Sequence, residues 1–159
     1  MKVHVAAVGR MKQGPERELV ARYLDRAVAT GRPLGLTGFE VSELTESRAS
    51  SAAARKADEA RALRAALPEG IVVALDERGK SQGSEVFANQ IARWRDDGRP
   101  AVSFVIGGAD GLEPDFVRAA DLTLSFSPLT WPHQLVRIML AEQLYRATTI
   151  LSGHPYHRE

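Results

Sequence analysis

Gly107, Gly108 and Gly111 follow directly on a short apolar run, Ala101 to Ile106, and Pro114 comes just after them. Glycines at the carboxyl end of a buried strand let backbone approach a ligand, because no side chain stands between the two. The chemistry this suggests is capture of a small molecule by main-chain donors and acceptors. Two other segments have the same placement. Leu75 to Lys80 ends the apolar run Ile71 to Leu75 in an acidic, glycine-containing turn, and Ser125 to His133 sets apolar side chains and hydroxyls in a Pro128-x-x-x-Pro132 frame. Apolar walls with a few polar backbone groups suit an adenine ring. A hydride-transfer dinucleotide site needs G-x-G-x-x-G with a ribose-binding acid about 20 residues on. The spacing of Gly107, Gly108 and Gly111, with Ile at position 106, does not match it. Taken alone, the glycines serve equally well as a tight turn that binds nothing.

These three segments need a scaffold that brings them to one edge. Val3 to Val8, Leu36 to Leu44, Ile71 to Leu75, Ala101 to Ile106 and Asp121 to Phe126 read as strands. Between them, Pro15 opens a helix with Glu16 and Glu18 in its first turn, which Gly31 and Pro33 end. Ala52 to Leu67 is alanine-rich and charged, a helix by propensity that Pro68 stops. Ser84 is placed to cap a helix with Phe87, Ile91 and Trp94 on one face, and Pro132 begins a long last helix reaching about Leu151. Thr45 to Ser51 is polar and irregular, and is read as a flexible loop. Strands alternating with helices predict an α/β fold, a mostly parallel sheet with helices on both faces, in a single domain over residues 1–159. In such a sheet the three loops gather at the carboxyl ends of their strands.

Composition narrows the partners. A chain of 159 residues that is 44% hydrophobic folds around a real core. The absence of cysteine excludes disulfides and thiolate metal sites and fits a reducing, cytoplasmic setting. No apolar stretch nears the roughly 20 residues that span a bilayer, and Met1 to Gly9 is too short and interrupted for a signal peptide. Neither membrane nor DNA is expected as a partner. A net charge of +1 means that any phosphate contact must come from local clusters such as Arg10, Lys12 and Arg158.

Leu75-Asp76 with Gly79-Lys80, Ile106-Gly107-Gly108 with Gly111-Leu112, and Leu124-Ser125 through Pro132-His133 resemble the SPOUT class of methyltransferases. The helix Leu135-Val136-Arg137 … Glu142-Gln143-Leu144-Tyr145-Arg146-Ala147 and the ending His154-Pro155-Tyr156-His157-Arg158 narrow the resemblance to the RlmH family, the large-subunit ribosomal RNA methyltransferases H. The likeness is strong from about residue 71 and weak between 30 and 68. It implies a SPOUT α/β knot with a C-terminal trefoil, S-adenosyl-L-methionine as cofactor with no metal, and a homodimer. The implied substrate is a pseudouridine in 23S ribosomal RNA, methylated at N3 in the assembled ribosome. By position, Leu75, Gly107, Gly108, Phe126, Ser127, Pro128, Leu129, Thr130, Trp131 and Pro132 are expected to line the cofactor site, and Tyr156, His157 and Arg158 to reach the nucleotide as the catalytic group. Ala109-Asp110 and Trp131 depart from the family pattern, but neither removes a glycine. A transfer RNA, or a non-catalytic role on the ribosome, is the alternative.

That reading makes chemical sense. The acceptor is an imide-like ring nitrogen whose proton must leave. His157 can take it, Arg158 can hold charge on a ring oxygen or phosphate, and Tyr156 can stack on a base. A metal reading of His133, His154 and His157 fails for want of a cysteine or a nearby acid to complete a tetrahedral set. On the last helix Val136, Leu140, Leu144, Ala147 and Leu151 form one apolar stripe, and Ile138, Ala141 and Tyr145 a second. One stripe suffices to pack on a sheet, so the second is expected to face a partner subunit, unless the helix is buried at the centre of its own chain.

Overall fold

A computed structural model describes residues 1–158. Five parallel strands form one sheet in the order β2-β1-β4-β3-β5, with β1 at Lys2–Val8, β2 at Thr37–Leu44, β3 at Ile71–Lys80, β4 at Ala101–Ile106 and β5 at Leu122–Leu124. The helices are α1 (Pro15–Gly31), α2 (Ala52–Ala66), α3 (Ser84–Asp96), α4 (Pro114–Ala119) and α5 (His133–Ser152). The α/β alternation and the parallel sheet expected from the sequence are borne out.

Strand periodicity divides the core in two. Val3, Val5 and Ala7 of β1 join Phe104 and Ile106 of β4 on the face covered by α1, α3 and α5. Ala6 and Val8, with Val105, turn to the other face and meet Ala60 and Leu63 of α2 and Phe116 of α4. Burial on both sides explains why β4 reads as an unbroken apolar run.

Local chemistry sets most boundaries. Pro15 and Pro114 begin helices where a missing N–H costs nothing, and Gly153 closes α5 in the left-handed conformation, φ 69°. Ser51 caps α2 by accepting from Ala54 N at 3.1 Å. Ser84 does not cap α3. Gly83 holds that position, and the Ser84 hydroxyl donates to Gln143 Oε1 at 2.9 Å, tying α3 to α5.

Two segments differ from the sequence reading. Residues 45–51 carry no regular structure but are pinned to α2: Ser47 N donates to Glu59 Oε1 at 3.0 Å, and the Ser47 hydroxyl to Asp58 Oδ2 at 3.0 Å. β3 continues past Leu75 to Lys80, yet Leu75 and Lys80 both lie opposite Leu124 of β5. Residues 76–79 are therefore an excursion from the ladder. It is closed by Asp76, which accepts from Arg78 N and Nε at 2.9 Å.

Candidate functional site

Strands β4, β3 and β5 are neighbours, so the segments that leave their carboxyl ends meet on one rim. They enclose a cavity of about 790 Å³, within the range of small-molecule sites. Every residue expected to hold the cofactor lines it except Pro128, which is exposed beside it. The walls are Leu75 and Ile106 from the strand ends, Leu124 and Phe126 from β5 and its loop, and Val136 from the first turn of α5. Leu129 and Trp131 stand on the rim, 66% and 40% exposed, two large apolar side chains left uncovered beside one cavity.

Besides lining the cavity, the glycines let the turn itself form. A Cβ on Gly107 would come within 2.7 Å of Gly111 C and 2.8 Å of Leu112 N, and one on Gly108 within 3.0 Å of Val8 Cγ1 and 3.2 Å of Glu59 Oε2. Their lack of a side chain lets the turn fold onto its own backbone and onto α2. At Gly111, φ is 80° and nothing lies within 4 Å of a Cβ, so the constraint there is conformational.

Most charges around the cavity are already matched. Asp76 pairs with Arg78 at 2.9 Å, and Asp110 with Arg55 at 2.6 Å. In both carboxyls the hydrogen bond from the guanidinium holds the pKa below its usual range. Glu77 accepts from the Thr130 hydroxyl at 3.0 Å, tying the first loop to the third, and the Ser125 hydroxyl donates to Glu77 O at 3.1 Å. The donor set fits S-adenosylmethionine: apolar walls for an adenosine, main chain from the glycine turn, and at Glu77, beside the cavity, a carboxylate with no guanidinium partner among the described residues. Among the described residues no cluster of three or more His, Cys, Asp or Glu side chains could hold a metal ion.

The C-terminal triplet lies elsewhere. Tyr156 packs on Tyr145 at 4.6 Å between ring centroids and under the Arg146 guanidinium at 4.9 Å, and donates to Glu142 Oε1 at 3.0 Å. Glu142 also accepts from Arg146 Nε at 3.0 Å and Nη2 at 2.6 Å. His157 Nδ1 is 3.3 Å from Arg146 Nη1, and its Nε2 is 3.9 Å from Glu85 of α3. Arg158 is exposed. Burial, and then the bond to Glu142, push the Tyr156 phenol up to about 12. None of the three lines the cavity. Glu142 lies six positions along α5 from Val136 on the cavity wall, roughly 9 Å at the helical rise.

Sequence reasoning missed Glu142, Arg146, Arg55 and Glu59. The Glu142-x-x-x-Arg146 spacing is an i,i+4 pair and signals a helix contact. Nothing in the sequence says that it also holds the tail.

A family model described as "Predicted SPOUT methyltransferase" matches residues 1–157. The chain belongs to the SPOUT methyltransferase family. Among SPOUT relatives, it is 58% identical to the Ribosomal RNA large subunit methyltransferase H of Rhodopseudomonas palustris (strain HaA2), over 99% of this chain and 99% of that one. It is 57% identical to the protein of the same name from Bradyrhizobium diazoefficiens, with the same coverage. The family resemblance read from the motifs is borne out. In fold the chain is also similar to a probable methylase family protein from Haemophilus influenzae Rd KW20, with a TM-score of 0.54 at 11% identity over 99% of this chain and 70% of that one.

Proposed function

We propose that this chain is an S-adenosylmethionine-dependent methyltransferase that modifies N3 of a pseudouridine in 23S ribosomal RNA within the assembled ribosome. The observation that carries the reading is the cavity where the three strand ends converge, in a SPOUT chain whose full-length relatives are named ribosomal RNA large subunit methyltransferases.

The cofactor supplies an activated methyl group. The protein's work is alignment, which contributes up to about 7–11 kcal/mol when the reacting atoms are held close. Leu75, Phe126 and Leu129 supply apolar surface for the adenosine, and the main chain at Gly107 and Gly108 supplies polar contacts. Tyr156, His157 and Arg158 receive the nucleotide: the ring of Tyr156 stacks, His157 removes the ring proton, and Arg158 balances developing charge.

The distance between tail and cavity in one chain favours a homodimer in which the tail of one subunit completes the cavity of the other. The two-stripe argument for that dimer no longer serves. Leu140, Leu144 and Ala147 of one stripe and Ala141 and Tyr145 of the other are all buried within the chain, where α5 packs between α1 and α3. What supports the dimer instead is the exposed apolar set Leu129, Trp131 and Leu135 beside the rim. Threading of the C-terminal segment into a trefoil, in a single domain, belongs to the same proposal. It is supported by the SPOUT family model that matches residues 1–157. No helix among the described residues is long and apolar enough to cross a membrane. The relatives' name, ribosomal RNA large subunit methyltransferase, supports placing the enzyme in the cytoplasm with its ribosomes.

Tritiated methyl transfer tests the reading. Ribosomes lacking the modification accept label, and bulk transfer RNA does not. Label in transfer RNA alone moves the substrate to another RNA, and no transfer together with no cofactor binding leaves a non-catalytic factor. Mixed dimers that pair a cavity-disrupted subunit with a tail-truncated one regain part of the activity if the site is shared.

A further inference from the structure

The tip of the glycine turn is held from outside. Within the turn one main-chain bond, Gly111 N to Gly108 O at 3.0 Å, closes the loop, and three glycines leave the rest with little stiffness of its own. Arg55 of α2 grips Asp110 as a fork, Nε to Oδ2 at 2.6 Å and Nη2 to Oδ1 at 3.0 Å. Its remaining nitrogen, Nη1, donates to Ala49 O at 3.1 Å. One turn along the helix, Glu59 is buried, accepts from Ser47 N, and lies directly beneath Gly108. One face of α2 thus joins residues 45–51 to the glycine turn. The Arg55 and Asp110 side chains are only 31% and 25% exposed, and a two-point fork fixes direction as well as distance.

We propose that Arg55 is a positioning residue for cofactor binding, holding the glycine turn through Asp110 in the shape that meets the adenosyl ligand. The inference rests on the reading that the cavity takes S-adenosylmethionine. Preorganising a loop raises affinity by removing its ordering cost from the binding step. The pair therefore acts on cofactor affinity and KM rather than on turnover at saturation. Lysine cannot reproduce the fork.

The experiment combines calorimetric titration of S-adenosylmethionine with amide hydrogen exchange across residues 107–111 in the ligand-free protein. Arg55→Ala and Asp110→Asn are expected to weaken cofactor binding about tenfold and to speed exchange in the turn. Arg55→Lys falls between them and wild type, and the Arg55→Asp/Asp110→Arg exchange recovers part of the loss. Asp110→Asn leaves the Ala49 contact in place, which separates the turn from residues 45–51. Folded variants with wild-type exchange and wild-type affinity overturn the inference while leaving the function intact. Faster exchange in variants of a wild-type protein that binds no cofactor supports the clamp and overturns the cofactor reading instead.

Discussion

The rim and the tail are built by different means. Topology makes the rim: β4, β3 and β5 are neighbours in a parallel sheet, so their exits meet whatever side chains they carry. Side chains make the tail: Tyr156 and His157 follow the last helix, and Glu142, Arg146 and Tyr145 of α5 place them. Point substitutions at the rim should therefore degrade cofactor affinity gradually. Substitutions at the tail should remove turnover while the fold and the cavity stay intact.

The strongest test of that contrast removes residues 154–159. Methyl transfer is expected to fall by about a hundredfold to ten-thousandfold, the range for losing a proton-transfer group, while calorimetry finds cofactor binding within about twofold of wild type. A parallel loss of binding would place the tail against the cofactor rather than the nucleotide and collapse the distinction. Gly107→Ala probes the rim. Its new Cβ meets backbone at 2.7 Å, so it is expected to cost about 1–3 kcal/mol of stability and to weaken cofactor binding, measured by thermal melting and titration.

Glu142→Gln sharpens the tail side. Turnover is expected to drop about tenfold with KM for the cofactor unchanged, as for a lost positioning contact. The native Tyr156 phenol ionises near 12, against 10.0 for a free tyrosine. Between those values the unfolded chain has lost a proton that the folded one keeps, so this contribution is fully present below pH ~10 and is lost as pH rises through the folded value. In the glutamine variant, ultraviolet titration should show that phenol moving back toward 10. The smallest effect belongs to Ser51→Ala, which removes the α2 cap and lowers stability by about 1 kcal/mol without altering methyl transfer.

The sheet was legible because its physics is local. Val3 to Val8 and Ala101 to Ile106 are apolar runs bounded by glycine and proline, and they became β1 and β4 almost residue for residue. The cavity was legible for the same reason, since strand ends locate it. What the sequence hid was pairing across distance. Arg55 and Asp110 lie 55 positions apart, and no local pattern announces that one will grip the other. Ser84 looked like a cap because serine often is one, but tertiary contact with Gln143 claimed its hydroxyl. The two stripes of α5 were correctly seen as apolar, and of the two explanations offered, burial within its own chain accounts for Leu140, Ala141, Leu144, Tyr145 and Ala147. α1 and α3, distant in sequence, supply the surfaces that cover them.

Arg137 has a consequence for how the chain is made. This buried arginine of α5 donates to Val8 O at 3.0 Å and to Gly9 O, and pairs with Glu43 at 2.7 Å. The first strand thus receives its final contacts from a residue 129 positions downstream. During synthesis that stretch leaves the exit tunnel long before its partner is translated, and such late, non-local closure is slow. A chain stalled short of α5 holds the whole sheet sequence yet leaves the end of β1 unfinished, so the ribosome must complete nearly the entire message before a working copy exists.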